Sequence, residues 1–155
     1  MRKLFILLLV ALPLMISAQT QSFKIYGGAD HQTYLGKFDA PANDAESIWN
    51  QNGKFGNKNN AFSIWNQKGE YGNPESALSP WAAPSAQSPV LRDDKGNELP
   101  FSAACDNQQV QFVVMFYSTI LDGSYNLQYW FNSIFADTYQ EEYDMKYFAP
   151  KEMLE

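Results

Sequence analysis

The chain has 155 residues with 11 basic and 17 acidic side chains, a formal charge of −6. No basic cluster interrupts that balance, which argues against DNA, RNA or an anionic membrane surface as the main partner, because phosphate binding needs grouped Lys and Arg. A single cysteine, Cys105, rules out a disulfide within the chain, and with only one histidine, His31, no common zinc site can be assembled.

Arg2 and Lys3 precede a thirteen-residue apolar run from Leu4 to Ile16, followed by Ser17, Ala18 and Gln19. This is the layout of a cleavable secretory signal over residues 1–18. The run is shorter than the roughly 20 residues that span a bilayer, and Pro13 weakens a longer helix, so no stable membrane span is expected once the signal is removed. Cleavage after Ala18 would leave 155 − 18 = 137 residues, with 9 basic and 17 acidic side chains and a charge of 9 − 17 = −8. The expected product is one exported domain, residues 19–155, in the periplasm or outside the cell.

Phe23 to Tyr26 and Tyr34 to Phe38 read as the strands of a β-hairpin around Gly27, Gly28, Ala29 and Asp30. Between residues 46 and 81 the composition shifts to Asn, Gly, Ser and aromatics. Ser47-Ile48-Trp49-Asn50-Gln51-Asn52-Gly53-Lys54-Phe55-Gly56-Asn57 recurs sixteen residues later as Ser63-Ile64-Trp65-Asn66-Gln67-Lys68-Gly69-Glu70-Tyr71-Gly72-Asn73, with eight of eleven positions identical. A truncated third copy begins at Ser79-Pro80-Trp81. One continuous helix is excluded, since sixteen steps would leave successive Trp residues about 160° apart around its axis. Each copy must be a local unit. An Asn or Asp ahead of each Trp is expected to cap a short turn, and the Gly after it to end that turn in the left-handed conformation, giving a turn-rich ribbon rather than a regular solenoid.

The stretch from Tyr34-Leu35-Gly36 through both Ser-Ile-Trp-Asn copies to Ser79-Pro80-Trp81 and Pro89-Val90 resembles a pattern found in small exported bacterial proteins of unassigned activity. It covers roughly residues 34–100. This chain departs from that pattern in having Gln51 and Gln67 after the Asn. The resemblance implies export and domain type, and carries no catalytic residues.

After a connection from Ala82 to Pro89, Val90-Leu91-Arg92 and Glu98-Leu99-Pro100-Phe101 read as two strands joined at Asp93-Asp94-Lys95-Gly96-Asn97. The oxygen-ligand register of an EF-hand is missing, so a hairpin turn is the better reading of that acidic segment. The C-terminal third is the most apolar. Asp106 with Gln109 suggests a capping box for a helix through Leu121, and Ser124 the cap of a second helix to about Asp137. Val110, Val113, Val114, Tyr117 and Leu121 would share one face, and Leu127, Trp130, Phe131, Ile134 and Phe135 the other. Alternation along Val110 to Phe116 and Tyr125 to Phe131 also fits strands. The helical hairpin is favoured, and the fold class is α+β, one small domain with β-hairpins, the turn-rich double repeat and this apolar pair.

No catalytic motif is present. His31 is expected to be a solvated turn residue and Cys105 a buried thiol. A Cys105 and His31 dyad, or a carboxylate pair from Asp93, Asp94, Glu141 and Glu142, has no motif behind it, so enzymatic function is not expected, and no cofactor or metal is implied. The feature with most binding potential is the repeat. Trp49, Trp65, Trp81, Phe55 and Tyr71 offer flat faces for sugar rings, with Asn50 and Asn66 as donors and acceptors for hydroxyls of a cell-envelope glycan. The competing reading makes each Trp a packing anchor, as the neighbouring Ile48 and Ile64 suggest. A third expectation is an accessory role, with Tyr125, Tyr129 or Tyr139 contacting another envelope protein.

Overall fold

The computed structural model describes residues 22–122 and 126–135. The leader-like segment 1–18, Ser124, Tyr125, Tyr139, Glu141 and Glu142 lie outside the described residues. In chain order the elements are β1 (Lys24–Gly27), β2 (Thr33–Lys37), β3 (Val90–Arg92), β4 (Glu98–Pro100), α1 (Gln108–Asp122) and α2 (Leu127–Phe135). Both expected hairpins form. They join into one antiparallel sheet of order β2-β1-β3-β4, because β3 pairs with β1 through Lys24↔Arg92, Ile25↔Leu91 and Tyr26↔Val90.

The first hairpin is not a plain ladder. Ile25 faces Gly36 while Tyr26 faces Tyr34, which leaves Leu35 as an extra residue in a β-bulge. Gly36 takes φ 108°, and a Cβ there would stand 2.8 Å from both the Glu46 carbonyl oxygen and Phe55 Cβ. Glycine at this position thus serves both the bulge and the close approach of the repeat. The turn runs from Gly28 to Gln32, with Gly27 still in the strand, and His31 closes it at φ 53° through an N–H donated to the Gly28 carbonyl at 3.1 Å.

The C-terminal pair is helical. The cap differs from the expected Asp106 box: Asn107 Oδ1 accepts the Val110 N–H at 3.1 Å, the usual bond from an N-cap to the third helical residue. The second helix is opened in the same way by Asn126, whose Oδ1 accepts the Tyr129 N–H at 3.1 Å. Helical spacing won over strand alternation because it buries Val110, Val113 and Ile120 on one helix and Leu127, Phe131 and Phe135 on the other. Val114, Tyr117, Leu121, Trp130 and Ile134 pack partly buried at the margins of the same core.

Candidate binding surface of the repeat

Each copy of the repeat is a chain of tight turns held by its own short polar side chains. Asp44 and Asn60 accept the N–H two residues on with their Oδ1 atoms, at 2.7 and 2.9 Å, and Ser76 does so with its hydroxyl at 3.3 Å. The Oγ atoms of Ser47, Ser63 and Ser79 accept the backbone N–H of Trp49, Trp65 and Trp81 at 3.0, 3.2 and 3.2 Å. Asn50 and Asn66 brace their own copies: each Nδ2 donates to the carbonyl six residues earlier at 3.1 Å, and each Oδ1 accepts the N–H two residues later. These are the Asx and Ser/Thr turns that such residues favour over regular structure.

The glycines act differently from expectation. Gly53, Gly56, Gly69 and Gly72 are absent from the positive-φ residues, so no left-handed cap ends the turns. Close approach of backbone is what requires Gly56 and Gly72. A Cβ on Gly56 would lie closer than 3.0 Å to the Asn50 carbonyl, and one on Gly72 would meet the Asn66 carbonyl in the same way.

The copies stack on one another. Trp65 stands 5.5 Å from Trp49 and 5.4 Å from Trp81, and each indole N–H is taken by a carbonyl one step back. Trp49 Nε1 donates to Phe38 O, Trp65 Nε1 to Ile48 O and Trp81 Nε1 to Ile64 O, all at 2.6 Å. The ladder starts on the sheet, where the Ile48 N–H donates to the Lys37 carbonyl and the Lys37 N–H to the Glu46 carbonyl. It ends on α1, where Trp81 stacks on Tyr117 at 5.0 Å with an interplanar angle of 8°. Its flank is covered by Phe131 and Phe135 against Trp49. Phe55 lies over Gly36 of β2, and the equivalent Tyr71 lies over Gly27 of β1.

Trp49, Trp65, Trp81 and Phe55 are therefore core residues. Trp65 stacks on Trp81 and meets Trp49 at a tilt of 52°, and Phe55 meets Tyr34 edge-on at 5.1 Å. Tyr71, Asn50 and Asn66 are half-buried, and both Asn amides are engaged with backbone. The structure does bring these sequence-predicted residues together, along one axis with their faces turned inward. The exposed aromatic of the repeat is Phe62, with Lys54 Nζ 4.1 Å above its ring.

Comparison with family models, curated proteins and solved structures finds no match.

The other candidate groups also have structural partners. His31 is half-buried rather than solvated, and its Nε2–H donates to the Ser88 carbonyl at 3.0 Å, tying the first turn to the connection that follows the repeat. Cys105 is buried, and that burial is the main cause that holds its thiol pKa above the usual value. Asp93 is buried in its turn, accepting the Lys95 and Asn97 N–H groups and Asn97 Nδ2 at 2.8 Å each. Asp94 pairs with Lys24 at 3.1 Å. Among the described residues no group of three His, Cys, Asp or Glu side chains is placed to hold a metal ion.

Two carboxylates beside the sheet carry opposite shifts. Asp44 is lowered, first by the Glu46 N–H and then by Lys37, whose Nζ lies 3.0 Å from both Asp44 and Glu46. Asp39 is raised, chiefly by burial, although its Oδ1 accepts the Phe23 N–H at 3.0 Å. Asp39 therefore binds its proton more tightly in the folded chain, and its contribution to stability is lost as pH rises through the raised value. Asp39→Asn keeps an oxygen for Phe23 and removes the buried charge. The variant should be the more stable at neutral pH, and its advantage in urea midpoint should vanish below the ordinary carboxylate range. An advantage independent of pH would contradict this.

Proposed function

We propose that this chain is a non-catalytic binding or structural module exported to the bacterial cell envelope or beyond it, with the tryptophan repeat as its internal scaffold. Export is supported by the charged, apolar and small-residue order of residues 1–18. The observation that carries the scaffold reading is that every repeat indole has both its face and its N–H engaged inside the fold. A glycan stacking on Trp65 would have to part it from Trp49 and Trp81. Calorimetric titration with neutral and amino-bearing envelope glycan fragments should give no saturable heat; saturable binding that Trp49→Phe and Trp65→Phe weaken would restore the repeat as a glycan site.

A second reading, an accessory subunit that docks on another envelope protein, is favoured by the helical hairpin. Within α1 and α2 the one charged residue among 15 + 9 = 24 is Asp122, whereas 28 − 1 = 27 of the other 155 − 24 = 131 residues are charged. Phe112, Phe116, Tyr129 and Trp130 are only partly covered there, and interface centres are typically aromatic and poor in charge. No helix among the described residues is long and apolar enough to cross a membrane. Affinity capture from envelope extracts with light scattering tests this reading: one stoichiometric partner supports it, and a strict monomer with no partner counts against it.

A further inference from the structure

The described residues hold two reduced sulfur atoms in opposite settings, and an oxidising exterior would test both. Cys105 is 2% exposed, a member of the hydrophobic core, and carries a thiol whose pKa burial raises. Met115 is 71% exposed on α1. It lies on the helix face opposite Val113 and Ile120, in line with Gln108, Phe112 and Thr119 at helical spacing. An accessible thiolate normally reacts with peroxide ahead of a thioether, because reactivity follows thiolate character and exposure. Here both factors act against the thiol.

From this contrast we infer that Met115 is an oxidative modification site of the folded domain and that the usual order of sulfur oxidation is reversed, with the thioether reacting and the thiol protected. The co-reactant is a peroxide. The Met115 sulfur attacks one oxygen of hydrogen peroxide, the O–O bond breaks, and sulfur gives up two electrons as the sulfoxide forms. The departing hydroxide takes the proton from the oxygen now bound to sulfur and leaves as water. The new polar oxygen is added on α1 in the helical row of Phe112 and next in the chain to Phe116, half-buried residues whose rings stand 4.6 Å apart. Because Met115 points to solvent, the modification changes that surface without entering the core.

The test treats the purified chain with hydrogen peroxide, folded and in denaturant, and follows peptides containing Met115 and Cys105 by mass spectrometry. Met115 should oxidise in the folded chain within about threefold of its rate in denaturant, while Cys105 should be slowed by about tenfold or more and, in the folded chain, to a rate below that of Met115. Tryptophan emission recorded over the same period should stay constant, which separates surface oxidation from unfolding. Any other pair of ratios overturns the inference: a slowed Met115 would mean that the thioether is covered, and an unslowed Cys105 would mean that the core opens to peroxide.

Discussion

Replacing Trp65 with Ala should lower the stability of the fold by about 3–5 kcal/mol, the range for deleting a buried Trp or Phe side chain. Trp65 is the middle rung. It is 1% exposed and lies between two indoles, and its N–H satisfies the Ile48 carbonyl at 2.6 Å. Its removal opens a cavity, separates Trp49 from Trp81 and leaves that carbonyl without its donor. Trp65→Phe divides these effects: the smaller ring keeps much of the apolar contact, while the unpaired Ile48 carbonyl costs about 1–3 kcal/mol. Urea denaturation of both variants checks the pair. Equal and small losses would mean that the ladder contributes little and that stability resides in the sheet and helices.

Gly56→Ala should be at least as damaging, about 3 kcal/mol or more, although it adds only one methyl group. The added Cβ would overlap backbone, the Asn50 carbonyl, and backbone cannot swing aside as a side chain can. Gly96→Ala is the matched control. It too is unfavourable, because φ is 85°, but nothing lies within 4 Å of the new atom, so its cost should stay near about 1 kcal/mol. Thermal unfolding of the two variants distinguishes steric overlap in the repeat from backbone preference alone. If Gly96→Ala were the worse of the two, the coils would be looser than the structure places them.

Much of this fold was legible because its signals are local. Turn glycines and Asp-rich segments marked both hairpins, and apolar spacing placed Val110, Val113, Leu127 and Phe131 on the buried faces of a helical pair. The sixteen-residue repeat was legible as identity. What identity could not show was direction: an indole spaced for binding and one spaced for stacking have the same sequence. The signal that favours stacking lies in the residues around it. Ser47, Ser63 and Ser79 fix each Trp backbone, and each Ile carbonyl sits one copy away from an indole N–H that needs an acceptor when buried.

Other features were hidden because they depend on distant partners. His31 is held by Ser88, fifty-seven residues away, and no local pattern announces that bond. Asn107 outcompeted Asp106 as the helix cap by a single residue, within the ordinary uncertainty of helix boundaries. The glycines following Trp49 and Trp65 carried a correct signal with a second possible cause. Glycine serves both left-handed backbone and close approach, and only the neighbouring Asn carbonyls reveal which applies.

Tryptophan fluorescence with acrylamide quenching tests the scaffold reading most directly. The Trp130→Phe variant should be used, so that emission comes from Trp49, Trp65 and Trp81 alone. Blue-shifted emission that resists acrylamide until denaturant unfolds the chain is the result expected of a buried indole ladder. Red-shifted emission, readily quenched in the folded protein, would contradict it and return the three rings to the surface as a candidate binding site.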